Sequence, residues 1–269
     1  MSQDRRKPAW AVARDRARKA PTETVWLFGL HAVADALSNP DRDKRRLIVT
    51  KNASDKLAEE IAASGLAPEL ADARKFPAPL DPQSVHQGAA LEVAPLDWGD
   101  LSARCRPLPD DPNPVVVLLD RVTDPHNVGA ILRSAEVFGA RAVIAPRHHS
   151  APETGALAKV ASGALERQPY LRVRNLGDAM GALTEMGFDL IGLDGEGEAT
   201  VQGALEQSQA RPIGLVFGAE GPGLRQRTKG LCATLARIAS AGSYGSLNVS
   251  NAAAVSLYAA SNFLKQKLR

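Results

Sequence analysis

Hydrophobic positions along this chain fall into two alternating periods. Short continuous aliphatic runs, Val115–Leu119 and Ile213–Phe217 above all, have the character of strands buried on both faces. Between them lie stretches whose apolar residues recur at three- and four-residue spacing, as on one face of a helix. From residue 25 the pattern predicts a strand at Val25–Gly29, a helix at His31–Leu37, a strand at Arg46–Thr50, a helix at Ser54–Ala63 capped by Ser54, and a strand at Ala89–Val93. After the proline- and aspartate-rich segment between Pro95 and Pro114 the alternation resumes. Strands are expected at Val115–Leu119, Arg141–Ala145, Tyr170–Val173, Asp189–Leu193, Ile213–Phe217 and Leu235–Ala239. Helices are expected near 127–138, 154–161, 175–186 and 224–231, with a last helix from Val249. Strands that alternate with helices imply a mostly parallel sheet covered on both faces, with ligands at the carboxyl ends of its strands.

This gives an α/β protein in four parts: a tail at 1–24, a small α/β module at 25–96, a linker at 97–113 and a larger α/β domain at 114–269. The 269 residues suffice for two domains, and 44% hydrophobic content suffices for their cores. No apolar run reaches the length of a membrane span, and the basic start has no apolar stretch behind it as a signal peptide would. Cys105 and Cys232 stand far apart, which suits a reducing cytoplasm and no metal site. His148 and His149 are adjacent, a spacing that does not build a shared helical metal face.

Charge sharpens the picture at one end. Residues 1–20 hold seven Lys or Arg against two Asp, a balance of +5, so the remainder carries −2 of the net +3. Such an arm suits phosphate gripping without sequence preference, and equally a solvated leader. Aromatic content of 4% argues against single-strand binding through many stacking platforms.

Three constellations carry candidate chemistry, and all follow strand ends. The first runs from Asp120 to Arg133, with Asn127 at a helix start and Arg133 six residues on. It reads either as an anion grip or as an ordinary helix with Asp124 and Asn127 as caps. The second places Gly218, Gly221 and Gly223 around Glu220 after a buried strand. Neither the Walker pattern nor G-x-G-x-x-G is present, so nucleotide phosphates are poorly served. A carboxylate there welcomes a cation, a hydroxyl or an amine. The third runs from Gly242 through Ser246, Leu247, Asn248 and Ser250 into the last helix. It combines a glycine loop with helix-capping residue types, a cradle for a small molecule or a plain cap.

Order and content of these motifs resemble the SpoU–TrmH group of RNA ribose 2′-O-methyltransferases in the knotted SPOUT superfamily. The resemblance spans roughly residues 25–269. It rests on Asp124-Pro-His-Asn-Val-Gly-Ala-Ile-Leu-Arg-Ser-Ala135, Val216-Phe-Gly-Ala-Glu-Gly221 and Ser246-Leu-Asn-Val-Ser250. Phe28-Gly-Leu-His-Ala-Val33 and Val85-His-Gln-Gly88 are similar to the small RNA-binding domain, of the ribosomal-protein L30e type, found in two-domain members. The resemblance implies a trefoil knot in the larger domain, a homodimer, S-adenosyl-L-methionine as methyl donor and an RNA substrate, with no DNA or membrane partner. The nearest subgroup methylates a guanosine ribose in the peptidyl-transferase region of 23S rRNA. A tRNA or another rRNA site is the alternative substrate, and a non-catalytic RNA-binding protein the alternative class. Asn127, Arg133, Glu220, Ser246 and Asn248 take the family's catalytic positions, and Leu193, Gly218, Ile238 and Leu247 its cofactor positions. Arg133 is the implied activator of the 2′-hydroxyl, by holding the target phosphate and polarising the nucleophile. One departure is visible: Ile238-Ala-Ser240 replaces the family's Ile-Pro-Met, which should loosen that loop.

Overall fold

A computed structural model describes residues 24–209, 211–240 and 247–267. Two sheets organise them. The smaller has four strands, β1 (Val25–Phe28), β2 (Lys44–Val49), β3 (Pro68–Leu70) and β4 (Ala89–Val93), in the order β1-β4-β2-β3. Helix α1 (Leu30–Ser38) packs on it through Ala32, Val33, Ala36 and Leu37, which are buried at helical spacing. The expected helix 54–63 is two helices, α2 (Lys51–Lys56) and α3 (Ala58–Ser64), which meet at Leu57. Thr50, not Ser54, caps the first, its side chain accepting Ala53 N–H. In the segment expected to be linker, helix α4 (Leu101–Cys105) forms where the Asp100 side chain accepts Ala103 N–H.

The larger sheet has seven strands: β5 (Val115–Asp120), β6 (Ala142–Pro146), β7 (Tyr170–Val173), β8 (Asp189–Leu193), β9 (Ala199–Thr200), β10 (Ile213–Gly218) and β11 (Thr234–Arg237). Their order is β7-β6-β5-β10-β8-β11-β9, and every pairing is parallel. Strand β5 is buried along its whole length, as its unbroken aliphatic run requires. Each fully buried Val, Leu, Ile or Phe here contributes about 1.5–3 kcal/mol. Two cores result, one on each face of the sheet. One is shared with the small domain, and the other lies under α8 (Leu176–Glu185) with Leu176, Met180 and Leu183.

The remaining helices are α5 (Pro125–Phe138), α6 (Gly155–Ala161), α7 (Ala164–Arg167), α9 (Val201–Gln207), α10 (Gln226–Lys229) and α11 (Val249–Lys267). The predicted helix 224–231 is a single turn, because the glycine turn before it occupies Leu224 and Arg225. Strand order fixes where a ligand can sit. From β5 the chain moves outward through β6 and β7, crosses to β8, and returns with β10 between β5 and β8. That reversal opens a crevice at the carboxyl ends of the central strands.

Candidate active site

The crevice is real. A cavity of about 580 Å³ lies beyond the ends of β8, β10 and β11 and against the start of α11. That is within the usual range of small-molecule sites. Leu193, Gly218, Ile238 and Leu247, the four expected cofactor contacts, all line it. Each comes from a different turn or strand end.

The loop after β10 supplies one wall. Gly223 N–H donates to the Ala219 carbonyl at 3.0 Å, so residues 219–223 close as a tight turn with Glu220 near its tip. Gly221 and Gly223 adopt φ of +80° and +66°, which residues with side chains resist. A Cβ on Gly218 would stand 2.1 Å from the Gly223 carbonyl carbon, so the turn closes only over a glycine.

Asp120, fully buried at the end of β5 beside Gly218, ties down the far side of this turn. Its carboxylate accepts Thr228 Oγ1–H at 2.6 Å, Arg225 Nε–H at 2.7 Å and Arg225 backbone N–H at 3.2 Å. Sequence reasoning placed Asp120 at a strand end and assigned it no role. A charged residue closing an all-aliphatic strand was the available signal. Asp194 on the opposite wall pairs with Lys229 at 2.5 Å. The hydrogen bond from Lys229 holds the Asp194 carboxyl below the usual aspartate range despite partial desolvation.

At the rim three motif side chains meet. Asn127 lies in the first turn of α5, after the Asp124 cap and Pro125. Its Nδ2 donates to Glu220 Oε1 at 3.0 Å and to Asp124 Oδ2 at 3.2 Å. Asn248 Nδ2 donates to the same Glu220 oxygen at 2.6 Å and to Asn127 Oδ1 at 3.0 Å. Asn248 Oδ1 in turn accepts Ser250 N–H at 2.8 Å and Ser250 Oγ–H at 2.6 Å, which orients its amide at the start of α11. One carboxylate oxygen therefore collects two amide donors from segments 121 residues apart in the chain.

Arg133 is not in this cluster. It is exposed on α5, roughly 120° around the helix from Asn127. It shares its face with Val137, one turn on and 75% exposed. Ser246 lies outside the described residues.

Fold and site together define an α/β protein with a small-molecule cavity at a topological switch point and a carboxylate–amide cluster at its mouth. The chain belongs to the SpoU rRNA Methylase family, which matches residues 114–258, and residues 26–98 match an RNA 2′-O ribose methyltransferase substrate-binding family. It is 35% identical over 239 residues to the 23S rRNA (guanosine-2′-O-)-methyltransferase RlmB of Pseudomonas putida, covering 87% of this chain and 94% of that one. An uncharacterized tRNA/rRNA methyltransferase of Synechocystis is 39% identical over 241 residues; the match spans 86% of this chain and 61% of that protein's length. The fold is also that of the SpoU methyltransferase AviRb from Streptomyces viridochromogenes, solved with AdoMet. It superimposes with a TM-score of 0.74 at 27% identity, covering 95% of this chain and 92% of that one.

Proposed function

We propose that this chain transfers a methyl group from S-adenosyl-L-methionine to a ribose 2′-hydroxyl of RNA, with a guanosine of 23S rRNA as the target. The observation that carries the reading is a cavity lined by the second and third motif segments, with the first joined to them through the bond from Asn127 to Glu220. The residues present fit the donor. Leu193, Ile238 and Leu247 offer an apolar seat for an adenine ring, and open glycine backbone at Gly195 and Gly221 allows close approach. Asp194 and Glu220 place negative charge beside a ligand whose sulfonium and ammonium outweigh its single carboxylate. When bound, the donor supplies a methyl group already activated by the sulfonium.

The chain's own task is therefore positioning. Glu220, fixed by Asn127 and Asn248, holds the mouth of the cavity in one shape. Arg133 holds the target phosphate and polarises the 2′-hydroxyl; a guanidinium presents a rigid donor fork and does not deprotonate near neutral pH. Ser246 belongs to the same arrangement by its place in the third motif.

A homodimer is part of this proposal. Val137 on α5 and Val255 and Tyr258 on α11 are exposed apolar side chains, and the Phe138 and Tyr258 rings meet edge-on at 5.8 Å between the two helices. A second copy covers this strip, the usual fate of contiguous exposed apolar surface. Because Arg133 shares the strip's face, the copy also brings it near a reaction centre. The knot and a cytoplasmic location complete the reading.

The test is Arg133→Ala. Methyl transfer to rRNA should disappear while donor binding, read by calorimetry, stays within about twofold of wild type. Undiminished transfer would remove Arg133 from the mechanism.

A further inference from the structure

The small domain does not hang from its linker. Arg42, between α1 and β2, has a side chain with no exposed surface, and its partners come mostly from the larger domain. Nε and Nη2 grip Glu166 on α7 at 3.0 and 2.6 Å, a two-pronged pairing. Nη1 bonds Glu153, just ahead of α6, and the Ala94 carbonyl at 2.9 Å. Asn39 Nδ2 adds a bond to Glu166 Oε2 at 2.9 Å, and Arg167 reaches back to Asp35 at 3.1 Å.

Behind this cluster the two domains are in close contact. A Cβ on Gly155 would lie 2.3 Å from the Trp26 carbonyl oxygen, and one on Gly163 would lie 2.2 Å from an Asp35 carboxylate oxygen. The next contact is also close. A Cβ on Gly129 would stand 2.9 Å from Val160, so α6 is pressed on α5 two residues from Asn127. An unbroken series of close contacts thus runs from the small domain through α6 to the helix that carries Asn127 and Arg133.

We propose that Arg42 is a positioning residue for methyl transfer: with Glu153 and Glu166 it locks the small domain in one orientation, so that RNA gripped there presents one ribose to the cavity. This rests on the methyltransferase reading above. The span from grip to reaction centre is then a fixed length that selects the target nucleotide. A two-domain enzyme on a loose tether would have to find that geometry at each encounter, with a correspondingly smaller productive fraction.

Removing Arg42 alone would strand the buried Glu166 and the half-buried Glu153 carboxylates, so the test neutralises the cluster together. The triple variant Arg42→Met, Glu153→Gln, Glu166→Gln should fold and bind S-adenosyl-L-methionine as wild type does. Its radius of gyration by small-angle scattering should rise as the domains separate. Its kcat on rRNA should fall by about 10²-fold with KM for RNA little changed. Wild-type kcat, or an unchanged radius of gyration, would overturn the proposal. Should the triple variant not fold, Gly155→Ala keeps every charge and wedges the domains apart, with the same kcat loss expected and undiminished kcat counting against the lock. Scattering reads the lock without turnover. A wild-type protein that compacts as described yet methylates no RNA would therefore discard the methyltransferase reading and leave the lock standing.

Discussion

At the scale of single residues, the site depends on amides that have no reactivity of their own. Asn248 sits where three demands cross: it donates to Glu220, donates to Asn127 and accepts from Ser250. Asn248→Ala should lower methyl transfer by about 10²-fold, as loss of an oriented polar group in an active site does. It should also cost about 1 kcal/mol of stability through the lost cap at the start of α11. Steady-state kinetics and thermal melts read the two effects separately. Asp194 gives a pH test. Its lowered pKa means the Lys229 pair contributes stability that is fully present above the ordinary aspartate value and is lost as pH falls through the lower, folded value. Asp194→Asn should therefore be less stable than wild type near neutrality, with the gap closing below about pH 4 in denaturation curves. Resemblance of the three motifs to the family made Asn127, Glu220 and Asn248 legible in advance, where their residue types alone read equally as caps or turns. It could not show that they bond one another, since that contact joins points 93 and 121 residues apart. Asp120 was hidden for the same reason: its partners Arg225 and Thr228 are more than a hundred positions away.

At the scale of elements, strands of four or more residues were legible and the two shorter ones were not. Val115–Asp120 and Ile213–Gly218 announce themselves because a central parallel strand is apolar on both faces. Pro68–Leu70 and Ala199–Thr200 are edge strands of three and two residues, too short for any period to show. The expected helix 54–63 reads as continuous because its break at Leu57 is a backbone event, not a change of residue type. The element with most consequence is the glycine turn 218–223. A methyl group at Gly218 would strike backbone, not a flexible side chain, so the turn must open. Gly218→Ala should cost about 1–3 kcal/mol and weaken donor binding more than about tenfold. Calorimetric titration with S-adenosyl-L-methionine measures it, and an unchanged affinity would place the donor elsewhere.

At the scale of the whole molecule, the alternation of strands and helices announced a parallel sheet, but no local pattern carries the order β7-β6-β5-β10-β8-β11-β9 or the packing of one domain on the other. Both rest on contacts distant in sequence; Arg42 and Glu166 are 124 positions apart. The exposed strip of Val137, Val255 and Tyr258 belongs to this scale too. Val137→Arg with Tyr258→Arg should convert a dimer to a monomer in sedimentation, with the fold unchanged by circular dichroism. A wild-type monomer would refute the pairing. The central claim is reached most directly by incubating the protein with labelled S-adenosyl-L-methionine and 23S rRNA lacking its own ribose methylations, then mapping the label. The account predicts one methylated guanosine ribose in the peptidyl-transferase region. Label on tRNA or on another rRNA site would contradict the substrate, and donor bound without transfer to any RNA would contradict the activity.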